Sequence, residues 1–212
     1  MSKVCEKCGR TYERSSCEYC KREKEWQESR RKKEMEKYFT PRIISDLENL
    51  ELPQDRIDKL TEKIFNGKSL YFTGAVGSGK TILASAILLN HKRKCWVEQK
   101  REDHEFKKMP RLLEEIKKSF NDDSGLDESE IIEKYSQVDF LVLDDFGMGN
   151  VSGWYHNTMY LIIDTRYEQL KKTLITSNMT PQEYSARLKG NRVTSRIKSM
   201  CTVVNVGNKD RR

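Results

Sequence analysis

The chain has 212 residues, of which 36% are hydrophobic and 34% are charged, and its formal net charge is +7. This length accommodates one domain with a hydrophobic core and a small additional segment, and it excludes two full-sized domains. Because no apolar run approaches the length of a membrane span and the N-terminus is polar, the sequence argues against a membrane protein and predicts a cytoplasmic one.

Residues 1–20 contain four of the six cysteines, arranged as two CxxC pairs that are separated by eight residues. This spacing is typical of four thiolates that close a tetrahedral structural zinc site. The segment has almost no aliphatic residues, so it needs a metal ion in order to fold, and a redox or disulfide pair is the alternative. Cys95 and Cys201 are interpreted as core residues. The expected zinc ligands are Cys5, Cys8, Cys17 and Cys20.

Residues 21–39 form the next segment, in which helix-forming residues of both charges dominate and apolar residues are few. This composition predicts a charged helical linker that is exposed to solvent. Pro41 marks the boundary with a domain that extends over residues 40–212.

From residue 40 onward, helix and strand patterns alternate. LENLELPQDRIDKLTEKIF has helical spacing, SLYFTG predicts a buried strand, and KTILASAILLNHK predicts the helix that follows it. CWVEQ at residues 95–99 predicts another strand. PRLLEEIKKSF then predicts an amphipathic helix, which a polar loop connects to IIEKYSQ.

Three further strands are predicted in the second half of the chain, at VDFLVLDDFG, KTLITSN and CTVVNVG. A long helix, WYHNTMYLIIDTRYEQLKK, follows the first of them, and a turn with a short helix, TPQEYSARLKG, follows the second. Strands that alternate with helices imply an α/β fold with a mainly parallel sheet that is covered on both faces.

GAVGSGKT at residues 74–81 matches the phosphate-binding pattern GxxxxGK[ST] in full, between a predicted strand and a predicted helix. Glycines let the backbone approach phosphate oxygens closely, and the amino end of the helix directs unpaired N–H groups toward the anion. Lys80 is expected to neutralise the β- and γ-phosphates, and Thr81 to offer its hydroxyl to Mg²⁺. The motif therefore predicts binding of ATP with magnesium. The expected nucleotide-binding residues are Gly74, Ala75, Val76, Gly77, Ser78, Gly79, Lys80 and Thr81.

The motif LVLDDFG delivers two carboxylates at the carboxyl end of a buried strand, the edge where open α/β sheets bind ligands. Asp144 is expected to hold the magnesium ion, and Asp145 to orient or deprotonate the water that attacks ATP. Two aspartates after a strand are most often a solvated turn, but the complete P-loop upstream favours the catalytic interpretation.

The strand KTLITSN also ends in polar residues. Its last residue, Asn178, is expected to position the attacking water or to sense the γ-phosphate, and a helix N-cap is the alternative. Between Lys171 and Arg212, ten basic residues stand against two acidic ones. This excess favours contacts with ATP, a neighbouring subunit or nucleic acid, whereas a solvated basic surface is the alternative.

The motifs GAVGSGKT, LVLDDFG, DTRYEQLKK, TLITSN and GNRVTSRI resemble those of AAA+ helicase loaders of the DnaC and DnaI type, over roughly residues 39–212. The four-cysteine segment is similar to the zinc-bearing region of DnaI-type loaders, which helps to contact the replicative helicase. The resemblance implies an α/β P-loop AAA+ core that lacks a helical lid and follows a small zinc-binding segment.

Arginine roles are also implied by this resemblance. In the family, an arginine finger from one subunit completes the ATP site of its neighbour, and Arg196 in RVTSRI matches this finger. Arg192, one helical turn earlier, is placed to assist it. Arg211 matches the second sensor arginine of a GxSxR-like pattern, in which Lys209 departs from the usual serine.

The function implied is an ATPase that binds a DnaB-type replicative helicase and helps to place it on single-stranded DNA, with ATP binding and hydrolysis as the switch. Self-association through the arginine finger is implied as well, and the short chain suggests a phage or mobile-element version. The same core is similar to IstB-type helper ATPases of transposition. A zinc-containing nucleic-acid tether with a vestigial ATP site is a third alternative, against which the complete motif set argues.

Overall fold

The N-terminal part of the chain combines two short strands with a run of helical segments. Strands β1 (Lys3–Val4) and β2 (Thr11–Tyr12) are antiparallel. They are followed by α1 (Glu18–Glu25), a π-helical segment (Trp26–Arg30) and α2 (Arg31–Tyr38). The computed structural model describes residues 2–13, 16–49, 51–119, 127–147, 153–188 and 192–207.

The centre of the molecule is a five-stranded sheet in which every neighbouring pair of strands is parallel. The strand order is β4-β5-β6-β3-β7. Four of the five strands lie where the sequence predicted them, and β4 does not. The strands are β3 (Ser69–Thr73), β4 (His104–Lys108), β5 (Phe140–Asp144), β6 (Lys172–Thr176) and β7 (Cys201–Asn205).

Helices cover both faces of the sheet, as the apolar runs of the strands predicted. Because side chains alternate between the faces of a strand, Leu70 and Phe72 join one hydrophobic cluster and Tyr71 joins the other. The helices on the first face are α3 (Pro41–Asn49), α4 (Gln54–Phe65) and α5 (Lys80–Val97), and on the second α6 (Met109–Lys118), α7 (Glu128–Gln137), α8 (Gly153–Glu168), α9 (Pro181–Leu188) and α10 (Arg192–Met200). Among the described residues, no helix is both long and apolar enough to cross a bilayer.

The strand predicted at residues 95–99 is wrong, because α5 continues to Val97. His91 and Cys95 are both buried, so the helical spacing of the apolar side extends into the run that was interpreted as a strand. The helix ends where Gln99 adopts a left-handed backbone conformation, with a φ of 58°. The strand of this region is β4, five residues beyond Gln99.

Residues 21–39 are helical, as their composition predicted, but they are not an exposed linker. Trp26, Met35 and Phe39 are buried, and Met35 and Phe39 belong to the core cluster on the first face of the sheet. The Arg22 side chain also donates from Nε to the carbonyl oxygen of Val97 at 2.8 Å. A few apolar residues at helical spacing are therefore sufficient to pack this charged helix against α5.

The register of the sheet brings the ends of four strands together. β6 lies between β5 and β3, and Phe72 pairs with Thr176. On the other side of β5, Lys108 at the end of β4 pairs with Asp144. The carboxyl ends of these strands and the amino end of α5 therefore form one edge of the molecule, which carries the predicted motifs.

Candidate functional site

The loop between β3 and α5 has a backbone that requires glycine. Gly74 has a φ of 148°, and a Cβ atom there would lie 2.6 Å from the carbonyl oxygen of Gly207. Gly79, directly before α5, is left-handed with a φ of 88°. Side chains at these positions would be strained or would clash, so the glycine pattern follows from the loop's close approach to β7 and from its turn into the helix.

Lys80 folds back over this loop. Its Nζ donates hydrogen bonds to the carbonyl oxygens of Gly74 at 2.8 Å and Ala75 at 2.7 Å, and the side chain is buried. Burial lowers the pKa of Lys80, since no carboxylate lies close enough to offset the loss of solvent fully. A polyphosphate at the amino end of α5 would supply the missing negative charge, which is the function that the sequence predicted for Lys80.

Two threonines hold the carboxylate of Asp144. Its Oδ1 accepts hydrogen bonds from Thr81 Oγ1 at 2.9 Å and from Thr176 Oγ1 at 2.6 Å. Its Oδ2 is buried and has no hydrogen-bond partner among the described residues. Burial raises the pKa of Asp144, and the bonds from the threonines oppose that shift. A buried carboxylate oxygen without a partner, beside a threonine hydroxyl, fits the oxygen ligands that Mg²⁺ takes at a P-loop.

Asp145 has an unusual backbone for a residue with a side chain. Its φ is 60°, and its N–H donates to Thr176 Oγ1 at 3.0 Å. Aspartate tolerates the left-handed region better than most residues, but strain of this kind is concentrated at functional sites. The turn separates the two carboxylates: Asp144 lies within the sheet, and Asp145 is half-buried at the cleft beside the P-loop.

This cleft brings together most of the predicted catalytic residues. Asn178 lines it together with Lys80, Thr81 and Asp145. Two basic residues that the sequence did not single out, Arg42 and Lys108, line it as well. Lys108 could have been found from its position at the end of a strand, but the correct strand had not been located, and Arg42 carries no recognisable motif.

The predicted arginines are placed differently. Arg196 in α10 is outside the described lining of the cleft; its Nε donates to Asp164 Oδ1 at 2.5 Å, and its guanidinium lies 4.9 Å from the ring centroid of Tyr167. Arg192 lies over the ring of Tyr160 at 5.8 Å. Arg211 is outside the described residues.

The four N-terminal cysteines converge, and all are free thiols. The sulfur atoms pair across the two motifs, Cys5 with Cys20 at 3.7 Å and Cys8 with Cys17 at 3.6 Å, and all four lie within 4.8 Å of one another. With Zn–S bonds of about 2.3 Å, tetrahedral geometry places sulfur atoms about 3.8 Å apart. The four residues could therefore hold zinc.

The chain is similar to known proteins over most of its length. The family model of the IstB-like ATP binding protein matches residues 11–212. The replicative helicase loader DnaC of Buchnera aphidicola subsp. Baizongia pistaciae is 30% identical over 137 residues, which are 63% of this chain and 51% of that protein. The replicative helicase loader DnaI of Bacillus subtilis is 28% identical over 185 residues, or 80% of this chain and 56% of that protein.

Among solved structures, the crystal structure of the DnaC helicase loader superposes with a TM-score of 0.60 and 27% identity, over 78% of this chain and 99% of that chain. The chain spans about half the length of the curated relatives it matches. These similarities confirm the AAA+ fold and the resemblance to DnaC- and DnaI-type loaders. Because the family model matches nearly the whole chain, the chain belongs to the family of IstB-like ATP-binding proteins.

Proposed function

We propose that this protein is an ATP-dependent loader that binds the replicative DNA helicase and helps to place it on single-stranded DNA. ATP binding and hydrolysis act as the assembly and release switch. The main support for this switch is the hydrogen bond between Thr81 and Asp144, which joins the P-loop helix to the end of β5. The other carboxylate oxygen of Asp144 has no hydrogen-bond partner among the described residues. The relatives named replicative helicase loaders support the partner.

Binding of the nucleotide replaces the hydrogen bonds that Lys80 makes within the loop by hydrogen bonds to phosphate oxygens. Mg²⁺, when bound with ATP, offsets the charge of the β- and γ-phosphates, and Thr81 and Asp144 are the residues that would hold it. Lys80 leaves the carbonyl oxygens of Gly74 and Ala75 and donates to phosphate oxygens instead. Binding is thereby coupled to the loop conformation and to the end of β5.

Hydrolysis requires a positioned water molecule. Asp145 is the base that orients or deprotonates it, because its side chain faces the cleft while Asp144 is held by two threonines. Asn178, at the end of the neighbouring strand β6, positions the water or senses the γ-phosphate. Lys108 adds positive charge opposite the phosphates.

Self-association completes the site in trans. Arg196 lies outside the described lining of its own cleft and is half-buried on α10, where only an acidic and an aromatic side chain of α8 hold it among the contacts described. We assign it as the arginine finger that enters the ATP site of a neighbouring subunit, with Arg192 beside it and Arg211 as the sensor arginine.

The N-terminal segments bind the partner helicase. Residues 1–20 bind zinc through their four cysteines and contact the helicase, residues 21–39 connect them, and residues 40–212 form the ATPase domain. Residues 21–39 contact the carboxyl-terminal part of α5, where Arg22 donates to the carbonyl oxygen of Val97 and Glu23 pairs with Arg93, so they hold the zinc segment near the end of α5 that is opposite the P-loop. Basic residues between Lys171 and Arg212 supply the contacts to single-stranded DNA.

Loading itself can be measured with the purified protein, the replicative helicase of the same host and circular single-stranded DNA. We expect the protein to increase the amount of helicase retained on the DNA in the presence of ATP, and the Lys80→Ala variant to fail. A protein that binds the helicase no better than an unrelated P-loop ATPase would contradict the proposal.

A second candidate function, a helper ATPase of transposition, is favoured by the name of the matching family model. It predicts binding to a transposase and to duplex DNA. An affinity pull-down of the tagged protein from its host's lysate, with ATP or ADP present, separates the two candidates: recovery of the replicative helicase supports the loader, and recovery of a transposase without helicase supports the helper.

A further inference from the structure

A second group of metal-ligating side chains lies at the far end of α5, where this helix approaches β4. His91 and Cys95 are four residues apart, so they share one face of the helix, and Glu102 and His104 come from the segment that enters β4. Their ligand atoms all lie within 4.8 Å of one another. His91, Cys95 and His104 are buried, and Glu102 is 16% exposed.

Hydrogen bonding fixes the tautomers of the two imidazole rings. His104 Nδ1 lies 2.8 Å from the carbonyl oxygen of Glu102, which can only accept, so Nδ1 carries the hydrogen and Nε2 carries a lone pair. That lone pair faces His91 Nδ1 at 3.0 Å, so without a cation His91 must donate from Nδ1. With one hydrogen on each imidazole ring, this pattern places both hydrogens on Nδ1.

This arrangement leaves a mismatch inside the protein. If His91 donates from Nδ1, its Nε2 carries a lone pair, and this buried atom has no hydrogen-bond partner among the described residues. The nearest charged group is the carboxylate of Glu102, 3.7 Å away, which is also an acceptor. Two acceptors that face each other in a buried position are costly, since neither has a proton to share.

We propose that His91, Cys95 and His104 form a second transition-metal site, suited to Zn²⁺, with Glu102 orienting His91. Zinc held by His91 Nδ1, His104 Nε2 and Cys95 Sγ would leave the His91 ring hydrogen on Nε2 and release the Cys95 thiol proton to solvent, while His104 keeps its bond to the carbonyl oxygen of Glu102. The His91 Nε2–H then points at Glu102 Oε2, 3.7 Å away, and a shift of about 0.5 Å gives it the outer hydrogen bond that metal-bound histidines usually make. The mismatch disappears when the metal is present.

The distances agree with this assignment. Metal bonds of about 2.0 Å to nitrogen and 2.3 Å to sulfur place tetrahedral ligand atoms about 3.3 to 3.6 Å apart. His91 Nδ1 is 3.0 Å from His104 Nε2 and 3.5 Å from Cys95 Sγ. Two imidazoles and one thiolate are a ligand set that zinc accepts, with a fourth position that water can reach through the adjoining cleft, which Cys95, Glu102 and His104 help to line.

Lysines surround the cluster, and their charge opposes a cation only in part, because each of three is paired with a carboxylate. Lys172 is bound by Glu102 itself, so Glu102 is held in place while it accepts from His91. The pairs are Lys172 with Glu102 at 2.6 Å, Lys92 with Glu34 at 3.2 Å, and Lys94 with Glu62.

The test uses the full chain with the first cysteine cluster removed by the four substitutions Cys5→Ser, Cys8→Ser, Cys17→Ser and Cys20→Ser, which we call the four-serine protein, so that Cys95 and Cys201 are its only remaining thiols. Titration with Co²⁺ should produce a thiolate-to-metal charge-transfer band and one bound ion per chain, and Zn²⁺ should displace it. Adding Cys95→Ser should remove the band, whereas adding Cys201→Ser, a buried cysteine outside both clusters, should leave it unchanged.

A second readout protects the test against misfolding of Cys95→Ser. Adding Zn²⁺ should raise the Tm of the four-serine protein and leave that of its His104→Asn derivative unchanged, with both variants shown to bind nucleotide. If the background protein binds nucleotide but shows neither the cobalt band nor a Tm shift with Zn²⁺, the cluster is a buried polar group and not a metal site.

Discussion

The hydroxyl of Thr81 donates a hydrogen bond of 2.9 Å to Oδ1 of Asp144, which connects the first turn of α5 to the end of β5. These residues are 63 positions apart in the chain, and each was predicted from its own motif. Their contact shows that the two motifs form one site. The carboxylate oxygen that has no partner, Oδ2, is available there for a cation or its water ligands.

Replacing Thr81 by valine removes the hydroxyl and keeps the shape of the side chain. We expect ATP affinity in the presence of Mg²⁺ to fall by at least about tenfold, which corresponds to about 1.4 kcal/mol, because a ligand of the ion is lost. Affinity measured in EDTA should change little, since Lys80 and the loop remain. Isothermal titration with ATP under both conditions measures the difference.

The control for this substitution is Thr158→Val in α8, which also removes a buried hydroxyl bonded within the protein, to the carbonyl oxygen of Trp154. It should bind ATP like the wild type under both conditions. Equal losses with and without Mg²⁺ in Thr81→Val would show that Thr81 supports the fold of the loop and does not serve the metal.

Asp145→Asn tests the assignment of the base. Asparagine tolerates the left-handed backbone at this position as well as aspartate does, so the turn should persist. Nucleotide binding should remain within about twofold, and phosphate release should fall by about a hundredfold or more, because the group that orients the water is lost. Phosphate release measured with and without single-stranded DNA gives the rate, and a variant that hydrolyses ATP like the wild type would exclude Asp145 as the base.

Local patterns were sufficient to predict four of the five parallel strands, and they selected the P-loop and Asp144, which the structure places in contact through Thr81 while their functions stay predictions. A glycine pattern reports backbone constraints directly, and strands buried on both faces are continuous apolar runs, as in FLVLD of β5. Each of these signals lies within a few consecutive residues. Short-range signals of this kind therefore suffice for the strands and for the motifs that lie at their ends.

Features that depend on distant contacts were missed. Lys108 reaches the cleft because β4 pairs with β5 in a particular register, which no local pattern gives. His91 and His104 belong to no recognisable sequence motif, yet their rings form a hydrogen bond between α5 and β4. The strand prediction at residues 95–99 was wrong because these residue types are common in strands, whereas tertiary packing stabilises the continuation of α5 to Val97.

Cys5→Ser tests the division of function between the N-terminal segment and the core. The substitution removes one of four converging thiols, so zinc at this cluster should be lost and binding to the helicase should weaken by at least about tenfold. ATP affinity should be unchanged, because the P-loop lies in a separate part of the fold. Metal analysis, helicase pull-down and ATP titration on one preparation give the three results, and unchanged helicase binding after loss of the metal would refute this division.

Arg196 is paired with Asp164 in the isolated chain, so its function as a finger requires that this pair be exchanged for a contact with a neighbour. Arg196→Ala should lose most ATP hydrolysis, and Lys80→Ala should lose nucleotide binding. Mixing the two variants should restore part of the activity, because some interfaces then join an intact P-loop to an intact Arg196. No recovery on mixing, together with a lowered Tm of Arg196→Ala, would show that the arginine only supports α10.

Arg166 is a fully buried arginine in the DTRYEQLKK motif, and no local pattern predicts a structural function for it. Burial lowers its pKa to about 9, so it remains charged at neutral pH. Its guanidinium donates to the carboxyl end of α7 and to the first two residues of β6. The acceptors are Thr173 Oγ1 at 2.9 Å and the carbonyl oxygens of Tyr135 at 2.9 Å, Ser136 at 3.2 Å, Val138 at 2.8 Å and Lys172 at 2.6 Å.

Arg166→Met keeps the length of the aliphatic part and leaves these buried carbonyl oxygens without donors. We expect the free energy of unfolding in urea to fall by about 3 to 5 kcal/mol, and Arg166→Lys to lose less, since an ammonium group retains up to three donors. The control, Arg111→Met, breaks an exposed pair with Glu114 and should change stability by less than about 0.5 kcal/mol. Because Arg166 contacts neither the P-loop nor the cleft, ATP affinity measured on the folded fraction should not change. A stable Arg166→Met protein with impaired hydrolysis would instead assign this arginine to the nucleotide site.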